Sequence, residues 1–236
     1  MKIACVLVTH LPVKAEIQRT AILRDKPILI ITQSSNGPKV LDVSSQIKGV
    51  FSGMPLQEAL SRSKDAVLLE SDDAYYDQVF DQMLEGLLLK SPLVERGSLG
   101  CAFVDIYGVD KIYGGEDGIV SALLGAVESH LGPRVGLANS KYPAFIAALN
   151  SNPGRSSKVP KRIVDFLRNL PVGLLPFSWE DMNRDIEGAA NQIVEIVNRY
   201  SAEYTFRNGA EGTYQVSVPP DNGSLANIRD YTAGIL

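Results

Sequence analysis

Residues 97–108, GSLGCAFVDIYG, are the stretch that most restricts what this chain can become. Leu99, Ala102, Phe103, Val104 and Ile106 form a short apolar run closed by glycines at both ends. Such a run reads as a buried strand. The other elements are read by how they fit around it.

Composition removes several classes of function. The 236 residues suffice for one or two domains with a real core. Hydrophobic residues make up 45% and charged residues 21%, the balance of an ordinary globular protein. A net charge of −4 disfavours strong autonomous gripping of a duplex, for which a basic surface is the rule. No apolar run approaches the roughly 20 residues of a membrane span. The N-terminal KIACVLVTH lacks the length and the small-residue cleavage pattern of a signal peptide. Two cysteines, Cys5 and Cys101, exclude a disulfide framework. Both sit in apolar strands as small buried hydrophobes, and a reducing, cytoplasmic setting is expected.

Along the chain, strands are expected at residues 3–8, 27–32, 40–43 and 66–70. A helix is expected over 14–23, a single helical turn capped by Ser44 or Ser45 and ending at Gly49, and a short helix over 55–61. Ser71 or Asp72 caps the clearest helix, whose Tyr75, Val79, Met83, Leu84, Leu87 and Leu88 keep one apolar face until Pro92. Strands at 93–96 and 99–107 follow, then a helix from Asp117 to about His130 and a strand at 134–138. The next helix is capped by Asn139 or Ser140, with Pro143 in its first turn. This order is α+β. Its second half has the split β-α-β pattern of a ferredoxin-like sheet covered by two helices on one face. Further on, a short helix at 163–170, an amphipathic helix at 186–200 and a hairpin around Asn208-Gly209 are expected.

In the Y-family DNA polymerases the metal-binding strand reads S-hydrophobe-D-E-A-aromatic-hydrophobe-D. Ser98, Leu99, Ala102, Phe103, Val104 and Asp105 match that pattern in kind and spacing. Further stretches resemble the same family, in its order. They are KGVFSGMPLQEAL (Gly49, Val50, Gly53, Met54, Ala59), LLESDDAYYDQVFDQMLEGLLLKSPLVE, RVGLANSKYPAFIAALNSNPG and IVDFLRNLPVGLLP. The resemblance covers about residues 1–176. It implies a polymerase-like palm over 1–10 and 71–170, a small fingers subdomain over 11–70, and a reduced or replaced thumb over 171–236, with no little finger.

The departures carry as much information. Nucleotidyl transfer uses two divalent metals, and hard cations such as Mg²⁺ need oxygen ligands, chiefly carboxylates. The family's ligand positions fall at Leu7, Thr9, Gly100 and Cys101, and Asp105 matches a structural residue. The Tyr and Arg that hold the triphosphate in the family fall at Val43 and Gln46, and a Lys contact falls at Asn152. No catalytic residue, no nucleotide contact, no metal and no cofactor is therefore expected. ACVLVTHLPVKAEIQR and LPVGLLPFSWEDMNR are similar to ImuB-like proteins, catalytically degenerate adaptors in mutagenic repair synthesis. That resemblance implies an accessory role in DNA repair or translesion synthesis. Its partners would be DNA, bound weakly through the backbone, or a replicative or mutagenic polymerase or other repair protein, and not a membrane.

Lys158, Lys161, Arg162 and Arg168 form a basic cluster at helical spacing, candidates for DNA phosphate contact together with Lys141. Ile186, Ile193, Val197 and Tyr200 share the face of the amphipathic helix and are candidates for binding a partner. Two alternatives remain open. One is an active nucleotidyltransferase with relocated carboxylates, drawn from Asp105, Asp110, Glu116 and Asp117; the other is a protein-interaction scaffold without a nucleic-acid role. Cys101 beside His10 reads as a packed strand, since two soft ligands are too few for zinc. Asp72, Asp73, Asp77 and Asp81 read as the charged start and solvated face of one helix.

Overall fold

A computed structural model describes residues 2–160 and Phe166. Its strands are β1 (Ile3–Leu7), β2 (Ile28–Thr32), β3 (Lys39–Val43), β4 (Val67–Glu70), β5 (Val94–Arg96), β6 (Cys101–Asp105), β7 (Arg134–Ala138) and β8 (Ser156–Lys158). Its helices are α1 (Leu11–Arg19), α2 (Leu56–Arg62), α3 (Asp73–Leu88), α4 (Glu116–Gly125) and α5 (Lys141–Leu149).

The glycine-bounded run is β6, and it pairs antiparallel with β1 in a five-stranded sheet of order β5-β6-β1-β7-β8. β1 is buried along its whole length. A strand covered on both faces reads as a continuous apolar run, which is why IACVL shows no alternation. Ala4 and Val6 of β1 join Ala102 and Val104 of β6 in a core completed by Tyr76 and Phe80 of α3 and Ile119 and Leu123 of α4. Ile3, Cys5, Leu7 and Cys101 belong to a second cluster, with Ala144 and Ala148 of α5. α3 and α4 thus cover one face of the sheet, as the split pattern predicts, and α5 covers the other. The alanine stripe of α5 and a glycine in β7 make this possible. A Cβ at Gly136 would lie 1.9 Å from the Ala144 carbonyl oxygen and 2.2 Å from the Ala148 nitrogen. Only glycine lets the helix approach so closely.

A three-stranded sheet of order β3-β2-β4 forms from residues 28–70. β2 runs antiparallel to β3, with an irregularity between Ile30 and Ile31, and parallel to β4. Leu29, Val40, Val43, Met54 and Ala59 make its own small core, while Ile28 and Ile30 belong to the main one.

Several elements differ from expectation. α1 begins at Leu11 with Pro12 in its first turn, where the missing N–H leaves no hydrogen bond unmade. It ends at Arg19, and Ala21–Leu23 is a separate 3-10 turn. Ser44 opens one hydrogen-bonded turn, its carbonyl accepting the Ile47 amide at 3.0 Å, but no helix forms there, and its hydroxyl accepts the Ile28 amide at 2.9 Å instead of capping. α4 stops at Gly125, and Ser129–Leu131 forms its own 3-10 turn. β8, not anticipated, runs parallel to β7. Asp72 does cap α3, accepting the Tyr75 amide at 3.2 Å. Ser140 stands at the start of α5 without a side-chain capping bond. Of the helix expected at 163–170 only Phe166 is described, and it is helical. The helix expected at 186–200 and the hairpin around Asn208-Gly209 lie outside the described residues. No helix among the described residues is long and apolar enough to cross a membrane.

Candidate functional site

The four positions at which the resemblance places the metal ligands, Leu7, Thr9, Gly100 and Cys101, lie where β1 ends and β6 begins. Leu7 faces Cys101 across the antiparallel pair, and the Val8 amide donates to the Gly100 carbonyl at 2.8 Å. Leu7 and Cys101 are buried in the cluster under α5. The Cys101 sulfur lies 3.6 Å from that of Cys5, and this contact together with burial pushes the Cys5 thiol up. Thr9 follows in the turn that leads to α1. Gly100 has a φ of +80°, and a Cβ built on it would lie 2.4 Å from the Val8 carbonyl oxygen. A side chain at 100 therefore meets both a strained backbone and a fixed strand carbonyl. The group offers one hydroxyl and one buried thiol, and no carboxylate. A magnesium ion, which takes hard oxygen ligands, does not fit this donor set. Among the described residues no three His, Cys, Asp or Glu side chains converge as a metal group.

The nucleotide positions carry no positive charge. Val43 is buried at the end of β3. Gln46 accepts the Ser44 hydroxyl at 3.2 Å, and Asn152 is exposed in the turn before Pro153.

Three charged residues that the sequence did not single out, Asp42, Lys14 and Arg134, link this region together with His10. The buried Asp42 of β3 takes His10 Nδ1 at 2.7 Å and the Val13 amide at 3.2 Å, joining the start of α1 to the smaller sheet. His10 itself adopts a left-handed backbone, with φ of 54°. Lys14 donates to the Leu131 carbonyl at 2.6 Å. Burial, and next the charge of Arg134, lower its pKa to about 8. Arg134 donates to the Leu149 carbonyl at 3.0 Å, and its Nε is buried with no partner. The available signal was Asp42 itself, a carboxylate inside the apolar strand KVLDV, which needs a partner when buried.

The remaining candidates scatter. Lys141 is paired with Glu95 at 2.5 Å and lies over the Phe103 ring, and Lys158 is paired with Glu116 at 2.5 Å. Lys161, Arg162, Arg168, Ile186, Ile193, Val197 and Tyr200 lie outside the described residues. Asp105 and the loop bearing Asp110 stand at the far end of β6 from Gly100, about 17 Å away at ~3.4 Å per residue. Asp110 is held by Lys2 at 2.8 Å, and Glu116 by Lys2 and Lys158. His10 faces Asp42 rather than Cys101, and His130 pairs with Glu128. Along α3, Asp72 meets Arg19 while Asp77 and Asp81 both meet Arg96, as one charged helix face would.

The sequence profile of the impB/mucB/samB family matches residues 8–149. The chain is 30% identical over 157 residues to a DNA polymerase IV of Brucella melitensis, covering 65% of this chain and 35% of that protein. It is 31% identical over 158 residues to a DNA polymerase IV of Caulobacter vibrioides, covering 65% of this chain and 39% of that one. The matched part thus spans little more than a third of the length of these relatives. Among solved structures, DinB from Sulfolobus solfataricus superposes with a TM-score of 0.66 at 19% identity, over 87% of this chain and 66% of that one. A post-insertion binary complex of Dbh DNA polymerase gives 0.64 at 20% identity, over 80% of this chain and 57% of that one. With its profile match, its polymerase IV relatives and these structural neighbours, the chain belongs to the impB/mucB/samB family and has the palm-and-fingers fold of Y-family DNA polymerases.

Proposed function

We propose that this chain is a non-catalytic member of its family. It acts in the cytoplasm as an ImuB-like accessory or adaptor in DNA repair and translesion synthesis. It contacts DNA weakly through backbone phosphates, holds a replicative or mutagenic polymerase or other repair protein, or does both. Residues 1–10 and 71–170 form its palm, 11–70 its fingers, and 171–236 a reduced or replaced thumb. The observation that carries this proposal is Gly100. Where the family places a metal-binding carboxylate, this backbone is left-handed and a side chain would run into the Val8 carbonyl. Leu7 and Cys101 beside it are packed into the core, and the triphosphate positions Val43, Gln46 and Asn152 bear no cation. Such losses together remove both halves of two-metal phosphoryl transfer, the metals and the grip on the triphosphate.

DNA contact in this proposal falls to Lys161, Arg162 and Arg168 more than to Lys141 and Lys158, whose charges are already paired. The test is fluorescence anisotropy on a labelled primer-template at ~50 and ~200 mM salt, with and without Mg²⁺ and the matching dNTP. The expected result is binding that weakens with salt, ignores Mg²⁺ and dNTP, and is lost in Lys161→Glu/Arg162→Glu. Tightening by the correct dNTP would overturn the proposal in favour of an active nucleotidyltransferase. Absence of binding at low salt would leave only the protein-interaction role.

A further inference from the structure

Two cations meet beside the end of β1. Arg134 stands opposite Leu7 in the antiparallel pair of β1 and β7, next to a position at which the resemblance places a metal ligand. One of its N–H groups reaches the Leu149 carbonyl at 3.0 Å, while Nε is buried with no hydrogen-bond partner. Lys14 comes in from α1 and donates to the Leu131 carbonyl at 2.6 Å. The charge of Arg134 acts on it, adding to burial in lowering its pKa to about 8. Gly132 and Pro153 close around the ammonium: a Cβ on Gly132 would lie 3.5 Å from Lys14 Nζ and 3.3 Å from the Pro153 Cβ. Pro153 belongs to an exposed turn that ends at Arg155, whose carbonyl takes the Val135 amide at 3.0 Å.

The charges here do not balance. Lys14, Arg134 and the exposed Arg155 have no ion pair among the described residues. Asp42 is the carboxylate whose field reaches Lys14. It keeps its charge, but its oxygens are taken by His10 Nδ1 and by the Val13 and Val43 amides. Glu128, at the start of the neighbouring 3-10 turn, faces Gln18 and His130. Positive charge therefore remains in excess. A half-buried charge without a counter-charge costs stability, and an orphaned buried N–H marks a missing acceptor. One oxyanion answers both, because its oxygens accept from the guanidinium fork while its charge offsets the two cations. We propose that Lys14 and Arg134 form a binding site for a phosphate group, carried by a nucleic-acid strand or by a free nucleotide, that works without a divalent metal. The fixed guanidinium and ammonium supply the positive charge there. Val43, Gln46 and Asn152 take no part, and the inference requires neither a lost activity nor an accessory role.

The test is thermal unfolding of the whole 236-residue chain at neutral pH in EDTA, with ~10 mM inorganic phosphate against chloride of equal ionic strength. The expected result is a melting temperature about 3 °C or more higher in phosphate, as a dissociation constant of ~1 mM gives. Lys14→Met and Arg134→Met lose that shift, each compared with its own melt in chloride, whereas Lys111→Met, in an exposed loop, keeps it. Should Arg134→Met not fold, Arg134→Lys, which keeps the charge but not the fork, reduces the shift by about half or more. Two further arms in EDTA identify the carrier. Binding of a labelled oligothymidylate that is lost in Lys14→Met assigns the site to a nucleic-acid strand. A melting shift with dTTP that is lost in the same variant assigns it to a free nucleotide. No shift in phosphate would overturn the proposal, as would a shift that Lys14→Met retains or that Lys111→Met also loses. Phosphate bound with neither carrier would overturn it too.

Discussion

Replacing Gly100 by alanine puts the smallest side chain where the family has a carboxylate. The left-handed backbone, φ +80°, costs an L-residue about 1–2 kcal/mol. The new Cβ would stand 2.4 Å from the Val8 carbonyl oxygen and 3.3 Å from the Leu11 Cβ. Val8 O belongs to backbone that is itself tied to Gly100 by the Val8 amide, so it yields little, and such overpacking costs about 1–3 kcal/mol more. The total is about 2–5 kcal/mol. Gly37 provides the control: φ is +97° and nothing lies within 4 Å of its added Cβ, so Gly37→Ala carries only the first cost, about 1–2 kcal/mol. Both variants are followed by thermal and urea unfolding. At about 2–4 °C per kcal/mol for a domain of this size, Gly100→Ala is expected to melt several degrees below Gly37→Ala. Equal melting temperatures would refute the reasoning, because the strand end would then relax around a side chain and a carboxylate could be restored at 100.

Other consequences are as direct. Gly136→Ala, with a Cβ 1.9 Å from the Ala144 carbonyl oxygen, should cost about 3 kcal/mol or more by pushing α5 off the sheet, read as a fall in the urea midpoint. Asp42→Ala removes the acceptor of His10 Nδ1 and of the Val13 and Val43 amides. It should cost about 2–3 kcal/mol, with faster hydrogen exchange at Val13. Lys14 has its pKa lowered from 10.5 to about 8, so between those values the unfolded chain binds the extra proton and stability rises with pH. That rise, about 2–3 kcal/mol at ~1.4 per unit after allowance for partial exposure, should vanish in Lys14→Met, measured as the difference between the two urea titrations.

The strands of the main sheet were legible because β1, β6 and β7 are uninterrupted apolar runs with glycine or proline close by. α3 was legible through its Asp72 cap and its apolar stripe. β8 was not, since SSK has no apolar signature and is a strand only because β7 offers it a hydrogen-bonding edge. α1 starts before the first apolar residue of its helical spacing because Pro12 sits inside its first turn, a place its side chain does not announce. The coverage of the second sheet face was hidden in small residues: Ala144, Ala148 and Gly136 carry little hydrophobic signal, yet set how closely α5 can lie. At the site, side-chain identities at Leu7, Gly100 and Cys101 could be read directly. What a side chain at 100 would meet, a left-handed backbone and the Val8 carbonyl, is set by the fold and stated by no pattern of side chains. The Asp42–His10 link and the buried Lys14 were invisible for a similar cause, their partners being brought close only by folding.

The most direct measurement of the central claim is single-turnover primer extension. The whole chain is used in excess over a labelled primer-template, with all four dNTPs and either Mg²⁺ or Mn²⁺. A chain without metal carboxylates or a triphosphate grip should leave the primer at its starting length, matching a reaction without protein at every time point. Extension that needs the divalent ion, scales with the amount of chain and follows it through successive columns would contradict the account. It would mean that carboxylates other than those at the family positions do the chemistry.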